Sequence, residues 1–259
     1  MKKSLGIFLT AFAAVLYGYT SYAATPQIVA HRGYWHTPGS AQNSLHSLAL
    51  ADSVGAWGSE FDVWRSADGK LFCNHDHTFK GVTFTAANSK VISAIDLDNG
   101  EPLPSLADML EEAKKHPGLR LVFELKEHPD KAAEELAVKE SVEMINDMGL
   151  AGRTDYITFS KQALRNFVKY APAGTEVYYL TGDLTPGQVK VVGASGIDYN
   201  IHTLKANPGW IDEAHALGMK VNVWTVDEPD DMQWCIDSGV DFITTNRPDI
   251  LKEILMQIK

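Results

Sequence analysis

The sequence predicts a single-domain α/β protein with the topology of a TIM (β/α)₈ barrel. Runs of β-type residues alternate with runs of helix-type residues along the 259-residue chain, which is typical of a parallel sheet with helical crossovers. About eight such βα units follow the N-terminal segment, and this is the number and size of a TIM barrel. No Pro/Gly/Ser-rich linker or block of charge divides the chain. A doubly wound open sheet of the same length is the main alternative.

The N-terminal segment, residues 1–23, is predicted to be a secretory signal peptide. Lys2 and Lys3 precede an apolar stretch from Leu5 to Leu16, and a small-residue site follows it and ends at Ala23. An N-terminal membrane anchor is the alternative, but the stretch is shorter than the ~20 residues that span a bilayer. We therefore expect a soluble periplasmic or secreted protein whose barrel domain is residues 24–259.

The strand and helix candidates follow one another in order along that domain. Helix boundaries are marked by Pro104-Ser105 and Pro129-Asp130 at N-termini and by Gly149, Gly218 and Gly239 at C-termini. The segment 76–104 fits no single helix or strand and is predicted to be an insertion over one face. Strand candidates are 27–31, 58–64, 70–74, 120–126, 156–160, 176–180, 197–201, 220–226 and 241–245. The clearest helix candidates are 44–54, 105–115, 131–148, 161–170, 210–217, 231–237 and 249–258.

The composition limits the partners. The formal net charge is -10, so the surface as a whole repels nucleic acid and anionic membranes, and we expect neither as a partner and no stable membrane anchor. A local positive site can still bind a small anion. Cys73 and Cys235 both lie in apolar contexts, which favours two buried free thiols over a disulfide.

Polar residues cluster where the predicted strands end. Residues i and i+2 of a strand share a face, so Glu60 lies with Asp62 in GSEFDVW, and Glu124 lies with Lys126 in LVFELKEH. The intervening apolar residues pack against the outer helices, which leaves the polar set on the barrel interior at the C-terminal rim. The oxygen ligands of three carboxylates favour Ca²⁺ or Mg²⁺, with Mn²⁺ also suitable, in an open site completed by water and substrate.

The same alternation places His31, His75 and Trp224 on interior faces at this rim, with Cys73 on the same interior face as His75. Each alone could be an ordinary strand-end residue that reaches solvent, but several buried charges together require pairing or a metal. Arg32 and Lys126 supply the positive charge that holds a phosphate, although Lys126 could instead pair with Glu124 or Glu127. His31 and His75 could act on opposite sides of phosphorus as general base and general acid.

The sequence resembles the glycerophosphodiester phosphodiesterases over nearly all of residues 24–259. The resemblance rests on seven segments in order, of which any one alone is a weak signal: HRG at 31–33, QNS at 42–44, EFDV at 60–63, HD at 75–76, ELK at 124–126, VWTVD at 223–227 and GVDFITTNRP at 239–248. It implies a TIM barrel that hydrolyses small glycerophosphodiesters, such as glycerophosphocholine, to glycerol 3-phosphate and an alcohol.

The resemblance also implies roles for individual residues. His31 and His75 look like the acid/base pair, and Arg32 and Lys126 look like the phosphate contacts. Trp224 would form an apolar wall of the pocket. The divalent-metal ligands would be Glu60, Asp62 and Glu124.

Two positions depart from the family's usual pattern. Gln42 stands where most members carry glutamate, which removes one negative charge beside the site. Asn246 stands where many carry aspartate. Two other functions stay open at this point: attack by an internal hydroxyl of the substrate to give a cyclic phosphate, as in related phospholipase D-type toxins, and a non-catalytic barrel that binds an anionic ligand or cell-wall polymer.

Overall fold

The predicted TIM barrel is confirmed. The computed structural model describes residues 25–258, so the predicted signal peptide lies outside the described residues. The main sheet has nine strands. The first strand pairs with the second strand on one side and with the last strand on the other, which closes the sheet into a barrel. Eight of the nine strands form the parallel barrel, with helices between them on the outside, and the ninth pairs antiparallel with one barrel strand.

Eleven strands and ten α-helices make up the described chain. The strands are β1 (Gln27–Ala30), β2 (Gly58–Arg65), β3 (Leu71–Cys73), β4 (Thr78–Phe79), β5 (Val82–Thr83), β6 (Arg120–Leu125), β7 (Thr154–Thr158), β8 (Val177–Tyr179), β9 (Gly196–Asn200), β10 (Lys220–Trp224) and β11 (Phe242–Thr245). The helices are α1 (Leu45–Val54), α2 (Ser89–Ile92), α3 (Leu106–Lys114), α4 (Lys131–Asp147), α5 (Lys161–Tyr170), α6 (Pro186–Val192), α7 (Ile201–Ala206), α8 (Gly209–Ala216), α9 (Pro229–Asp237) and α10 (Pro248–Gln257).

Side-chain alternation along the barrel strands separates two apolar layers. Phe61 and Phe123 belong to the large cluster between the strands and the outer helices. Val29, Val122 and Trp224 belong to a smaller cluster inside the barrel. The alternation therefore follows the prediction for these strands, and it leaves the interior positions at the strand ends to polar side chains.

The candidate strand 70–74 is not a barrel strand, which corrects the prediction. β2 continues beyond the barrel rim, the chain turns, and β3 pairs antiparallel with β2, with Cys73 opposite Val63. Cys73 therefore packs in the outer cluster rather than on the interior. The return of the chain along β2 places Asn74 beside Asp62, whose carbonyl accepts a 3.1 Å hydrogen bond from the Asn74 N–H.

The segment 76–104 forms a small structure of its own beside the barrel. It contains the β4–β5 hairpin and α2. Phe84, Ile92 and Leu97 are buried in a separate apolar cluster with Trp64 and Phe72 of the β2–β3 hairpin. The insertion is thus anchored to the strand pair that leads to His75.

Three helices, α2, α6 and α7, were not among the clearest candidates. For α6 a sequence signal exists, because Thr185 and Gln188 form a capping box and Pro186 occupies the first turn. The helix is only 7 residues long, so its apolar periodicity is weak.

Two further expectations can be compared with the described residues. Cys73 and Cys235 are buried free thiols, as predicted. Among residues 25–258, no helix is both long enough and apolar enough to cross a membrane.

Gly33 provides a test of how closely the first turn packs. Its φ is +74°, and a Cβ built there would lie 2.3 Å from Ser47 Oγ and 2.6 Å from the Ser47 carbonyl carbon, whereas Gly39, with φ +80°, has nothing within 4 Å. We expect Gly39→Ala to lose about 1 kcal/mol of unfolding free energy through strain in the left-handed region. Gly33→Ala should lose about 2 kcal/mol more, because it adds a steric clash. Urea denaturation of the two variants measures the difference, and equal losses would contradict the close packing.

Candidate active site

Three carboxylates meet at the C-terminal rim because two neighbouring strands carry them in register. β2 supplies Glu60 and Asp62, β6 supplies Glu124, and Asp62 lies directly opposite Glu124 in the parallel pair. One ligand oxygen from each residue can be chosen so that all lie within 4.8 Å of one another. All three residues are buried. Within the described part of the chain, these three residues form a group of side chains with the spacing needed to hold a metal ion.

Two basic side chains and one amide partly compensate these charges. Lys126 Nζ lies 2.7 Å from Glu124 Oε1 and 3.1 Å from Asp62 Oδ1. Arg32 Nε lies 3.7 Å from Asp62 Oδ2, and Asn43 Nδ2 donates to the same oxygen at 2.9 Å. Lys126 thus makes one of the ion pairs considered from the sequence, that with Glu124, while remaining at the rim where a phosphate could reach it.

The compensation is uneven among the carboxylates. Burial raises the pKa of Glu60 well above its usual range, and the neighbouring Asp62 charge raises it further. Burial likewise raises the pKa of Glu124 to about 7, against the opposing effect of Lys126. Burial also acts to raise the pKa of Asp62, but Lys126, His75 and Arg32 outweigh it and lower the value to about 2.

The donor set fits a hard divalent cation. Glu60 Oε1 is buried and has no hydrogen-bond partner, while Glu60 Oε2 accepts a 2.7 Å hydrogen bond from the Arg32 backbone N–H. A buried carboxylate oxygen without a partner is costly, and oxygen ligands suit Ca²⁺, Mg²⁺ and Mn²⁺. Glu60, Asp62 and Glu124 can therefore bind a metal ion.

His31 follows β1 and is held by a chain of amide and carboxylate groups. Asn246 Nδ2 donates to Asp227 Oδ2 at 2.6 Å, which directs Asn246 Oδ1 towards His31 Nδ1 at 2.8 Å. His31 Nδ1 must then carry the proton, so Nε2, which lies 4.0 Å from Glu60 Oε2, is the unprotonated nitrogen of the neutral ring. Burial, and then the charge of Arg32, lower the pKa of His31 to about 4.

His75 reaches the site from the β2–β3 hairpin. Its Nδ1 lies 2.7 Å from Asp76 Oδ1. The Nδ1 partner of His75 is therefore a carboxylate, whereas the Nδ1 partner of His31 is an amide. Burial lowers the pKa of His75, while Asp62 and Asp76 oppose the change. His31 and His75 line the same cavity, although the strand parity that predicted this for His75 does not apply to it.

Gln42 contacts the site through Arg32. Gln42 Oε1 accepts a 2.5 Å hydrogen bond from Arg32 Nη1. Arg32 itself has a φ of +56°, an uncommon conformation for a residue other than glycine. Two hydrogen bonds fix this conformation. The Arg32 backbone N–H donates to Glu60 Oε2, and the Asn43 N–H donates to the Arg32 carbonyl at 3.0 Å.

The cavity continues from the charged rim into the barrel. Trp224 forms one wall together with Phe159, and their ring centroids are 5.5 Å apart. The Trp224 Nε1–H is occupied, because it donates to the Asp198 carbonyl at 2.9 Å. Trp224 therefore offers an apolar surface to the cavity.

Asp198 is a residue that the sequence analysis missed. Its carboxyl lines the same cavity, is buried, and has one oxygen without a hydrogen-bond partner. Burial raises the pKa of Asp198 to about 8. A signal was present in the strand candidate 197–201, because Asp198 and Asn200 are two residues apart and share one face of the strand.

Together, the fold and the site define a TIM-barrel enzyme with a buried acidic group and two histidines at its C-terminal rim. The family model for the Glycerophosphoryl diester phosphodiesterase family matches residues 31–250, and the chain belongs to this family. Its members hydrolyse glycerophosphodiesters, so the alternative of a non-catalytic barrel is not retained.

Similar proteins agree with this membership. A glycerophosphodiester phosphodiesterase structure from Parabacteroides distasonis is 44% identical with a TM-score of 0.89, covering 90% of this chain and 98% of that one. A probable glycerophosphodiester phosphodiesterase 1 of Mycobacterium tuberculosis is 28% identical, covering 87% of this chain and 91% of the relative. An Oleispira antarctica phosphodiesterase, solved in complex with the product sn-glycerol-3-phosphate, shares the fold with a TM-score of 0.76 at 20% identity, covering 91% of this chain and 98% of that one.

Lys126 should stabilise the protein in metal-free buffer, because it pairs with two buried carboxylates. Removing one partner of a buried ion pair costs about 3 kcal/mol or more, so Lys126→Met should lower the free energy of unfolding by about that amount. Lys139→Met is the matched control, since Lys139 pairs with Glu135 at 2.8 Å on the surface, where water screens the two charges, and its loss should be much smaller. Both values come from urea denaturation in the presence of a chelator. Similar losses in the two variants would show that Lys126 does not compensate the buried charge.

Proposed function

We propose that the chain hydrolyses glycerophosphodiesters in a metal-dependent reaction that gives glycerol 3-phosphate and an alcohol. The observation that carries the proposal is the convergence of a buried acidic group, two basic side chains and two histidines on one cavity. The sn-glycerol-3-phosphate bound to the Oleispira enzyme is the product that this reaction would release.

Glu60, Asp62 and Glu124 would hold Ca²⁺ or Mg²⁺, with Mn²⁺ as a further possibility. When bound, such an ion supplies positive charge that attracts the phosphodiester and stabilises the charge that develops on its oxygens. The protonation of Glu60 and Glu124 favoured by burial would be reversed by the ion, because the charged forms are its ligands.

Arg32 and Lys126 would contact the non-bridging oxygens of the phosphate. Lys126 already lies between two carboxylates, and Arg32 is directed by Gln42. A neutral amide orients the guanidinium without neutralising it, whereas the glutamate usual at position 42 would form an ion pair with it. Gln42 should therefore leave more of the Arg32 charge available to an anionic substrate.

His31 is the better candidate for the general base. Its Nδ1 proton is committed to Asn246, and its unprotonated Nε2 faces the acidic group, where a water molecule can give up a proton. As the water oxygen forms its bond to phosphorus, the water proton would move to His31 Nε2.

His75 is the better candidate for the general acid. The Asp76 carboxylate accepts from Nδ1, and a carboxylate partner favours the imidazolium form that can donate from Nε2. As the bond from phosphorus to the alcohol oxygen breaks, the proton would pass from His75 Nε2 to the leaving alkoxide. Trp224 would then form the apolar wall beside the glycerol moiety.

Export and the domain boundary are part of the same proposal. The paired lysines, the apolar stretch and the small-residue site in the first 23 residues support a cleaved signal peptide. The exported barrel, residues 24–259, would then meet its small-molecule substrate in the periplasm or outside the cell.

The reaction and the histidine roles can be tested together by phosphorus NMR with glycerophosphocholine and added Ca²⁺ or Mg²⁺. We expect the phosphodiester signal to be replaced by that of glycerol 3-phosphate. His31→Ala and His75→Ala should each lower kcat by roughly 10²- to 10⁴-fold, the usual contribution of a general acid or base. Both variants should keep the circular dichroism spectrum of the wild type.

His46→Ala is the matched control, because His46 is exposed on α1 and its loss should leave kcat unchanged. A cyclic phosphodiester that accumulates in place of glycerol 3-phosphate would show that an internal hydroxyl attacks instead of water. Wild-type kcat in either His31→Ala or His75→Ala would remove that residue from the acid/base pair.

A further inference from the structure

A second and larger cavity, called the wide cavity below, is also lined by His75. Its volume is about 350 Å³, against about 90 Å³ for the cavity that contains the acidic group, and His75 lines both. Its walls come from the loop after β1 and from the insertion. They include Trp35, His75, Asp76, Phe79, Leu97 and Asp98.

A phosphodiester bound at the rim must direct its two ester groups away from phosphorus in different directions. The smaller cavity, of about 90 Å³, is lined by Trp224 and Phe159, so its size suits the glycerol moiety that all these substrates share. The wide cavity lies next to His75, the residue proposed to protonate the leaving alcohol. The alcohol headgroup of the substrate would therefore occupy the wide cavity.

We propose that this cavity selects alcohols that carry an ammonium group, so that diesters with cationic headgroups are preferred over those with neutral ones. The inference rests on the proposed function, whose substrate class it narrows. Trp35 and Phe79 line the cavity, and aromatic rings of this kind bind cations. Asp76 and Asp98 supply carboxylates, with side chains that are 70% and 81% exposed. Within residues 25–258, no lysine or arginine lines the cavity.

The chain itself shows that an ammonium group is accommodated at the edge of this cavity. Lys80 Nζ lies 5.3 Å from the centroid of the Phe79 ring and 3.3 Å from Asp98 Oδ1. Lys80 is not among the residues that line the cavity, so it approaches this pair from outside. Its charge should compete with a cationic headgroup for Phe79 and Asp98.

Two variants with opposite charge changes therefore test the inference. Asp98→Asn removes an attractive charge and should raise KM for glycerophosphocholine and glycerophosphoethanolamine by about two- to fivefold, the range for an exposed ion pair. Lys80→Asn removes the competitor and should lower these KM values. Asparagine also tolerates the φ of +47° at position 80. Neither variant should change KM for glycerophosphoglycerol, whose headgroup is neutral. Asp76 is left intact because it contacts His75.

Asp147→Asn is the charge-matched control. Asp147 is an exposed residue at the C-terminus of α4, at the opposite end of the barrel, and its substitution should move none of the KM values. Equal changes for cationic and neutral headgroups, or a higher KM for the cationic diesters in Lys80→Asn, would overturn the inference.

Binding of free choline and free ethanolamine, followed by saturation-transfer NMR, decides the same question without turnover and distinguishes quaternary from primary ammonium groups. The inference predicts a signal with wild type that weakens in Asp98→Asn and strengthens in Lys80→Asn. No signal with either amine, or no difference among the variants, overturns it. Failure to hydrolyse any glycerophosphodiester would instead contradict the proposed function.

Discussion

The structure of the rim depends on one electrostatic constraint, the burial of three carboxylates on two adjacent strands. The register of β2 and β6 holds the carboxylates of Glu60, Asp62 and Glu124 close together. Because the site is poorly solvated, their mutual repulsion must be offset. Lys126 and Arg32 offset part of it, and the raised pKa values of Glu60 and Glu124 show that the compensation is incomplete. A divalent cation is the group that would complete it, and the same ion would draw an anionic phosphodiester to the site.

The surrounding elements each serve this centre from a different direction. β1 ends at His31, whose ring is oriented through Asn246 by Asp227, which follows β10, two strands away from β1 in the sheet. The β2–β3 hairpin rises above the rim and returns, which delivers His75 to the level of Asp62. The insertion packs on that hairpin through its own apolar cluster. The headgroup side of the site is therefore built from the segment that also positions His75, so changes in the insertion can affect specificity and His75 together.

Much of the barrel and its rim follows from residue patterns alone, and the exceptions have physical causes. The alternation of Glu60 with Phe61 and of Glu124 with Phe123 specifies which side chains face inward, because strand geometry is fixed. The same rule failed for Cys73 and His75, since alternation along a strand carries no information about whether that strand runs parallel or antiparallel. Asp198 was missed because a single acidic residue paired only with Asn200 on its face does not by itself indicate a charged site. The structure of the 76–104 segment could not be predicted in detail, because its elements are short and their packing on Trp64 and Phe72 depends on tertiary contacts.

Glu60, Asp62 and Glu124 should jointly bind one divalent cation. Anomalous diffraction from crystals soaked in Mn²⁺ locates such an ion independently of activity. We expect a single strong peak within about 2.5 Å of an oxygen of each carboxylate, with Lys126 still at the rim, and a much weaker peak in Glu60→Gln. An Mn²⁺ peak away from the three carboxylates, or no peak at saturating Mn²⁺, would contradict joint binding of the ion by these residues.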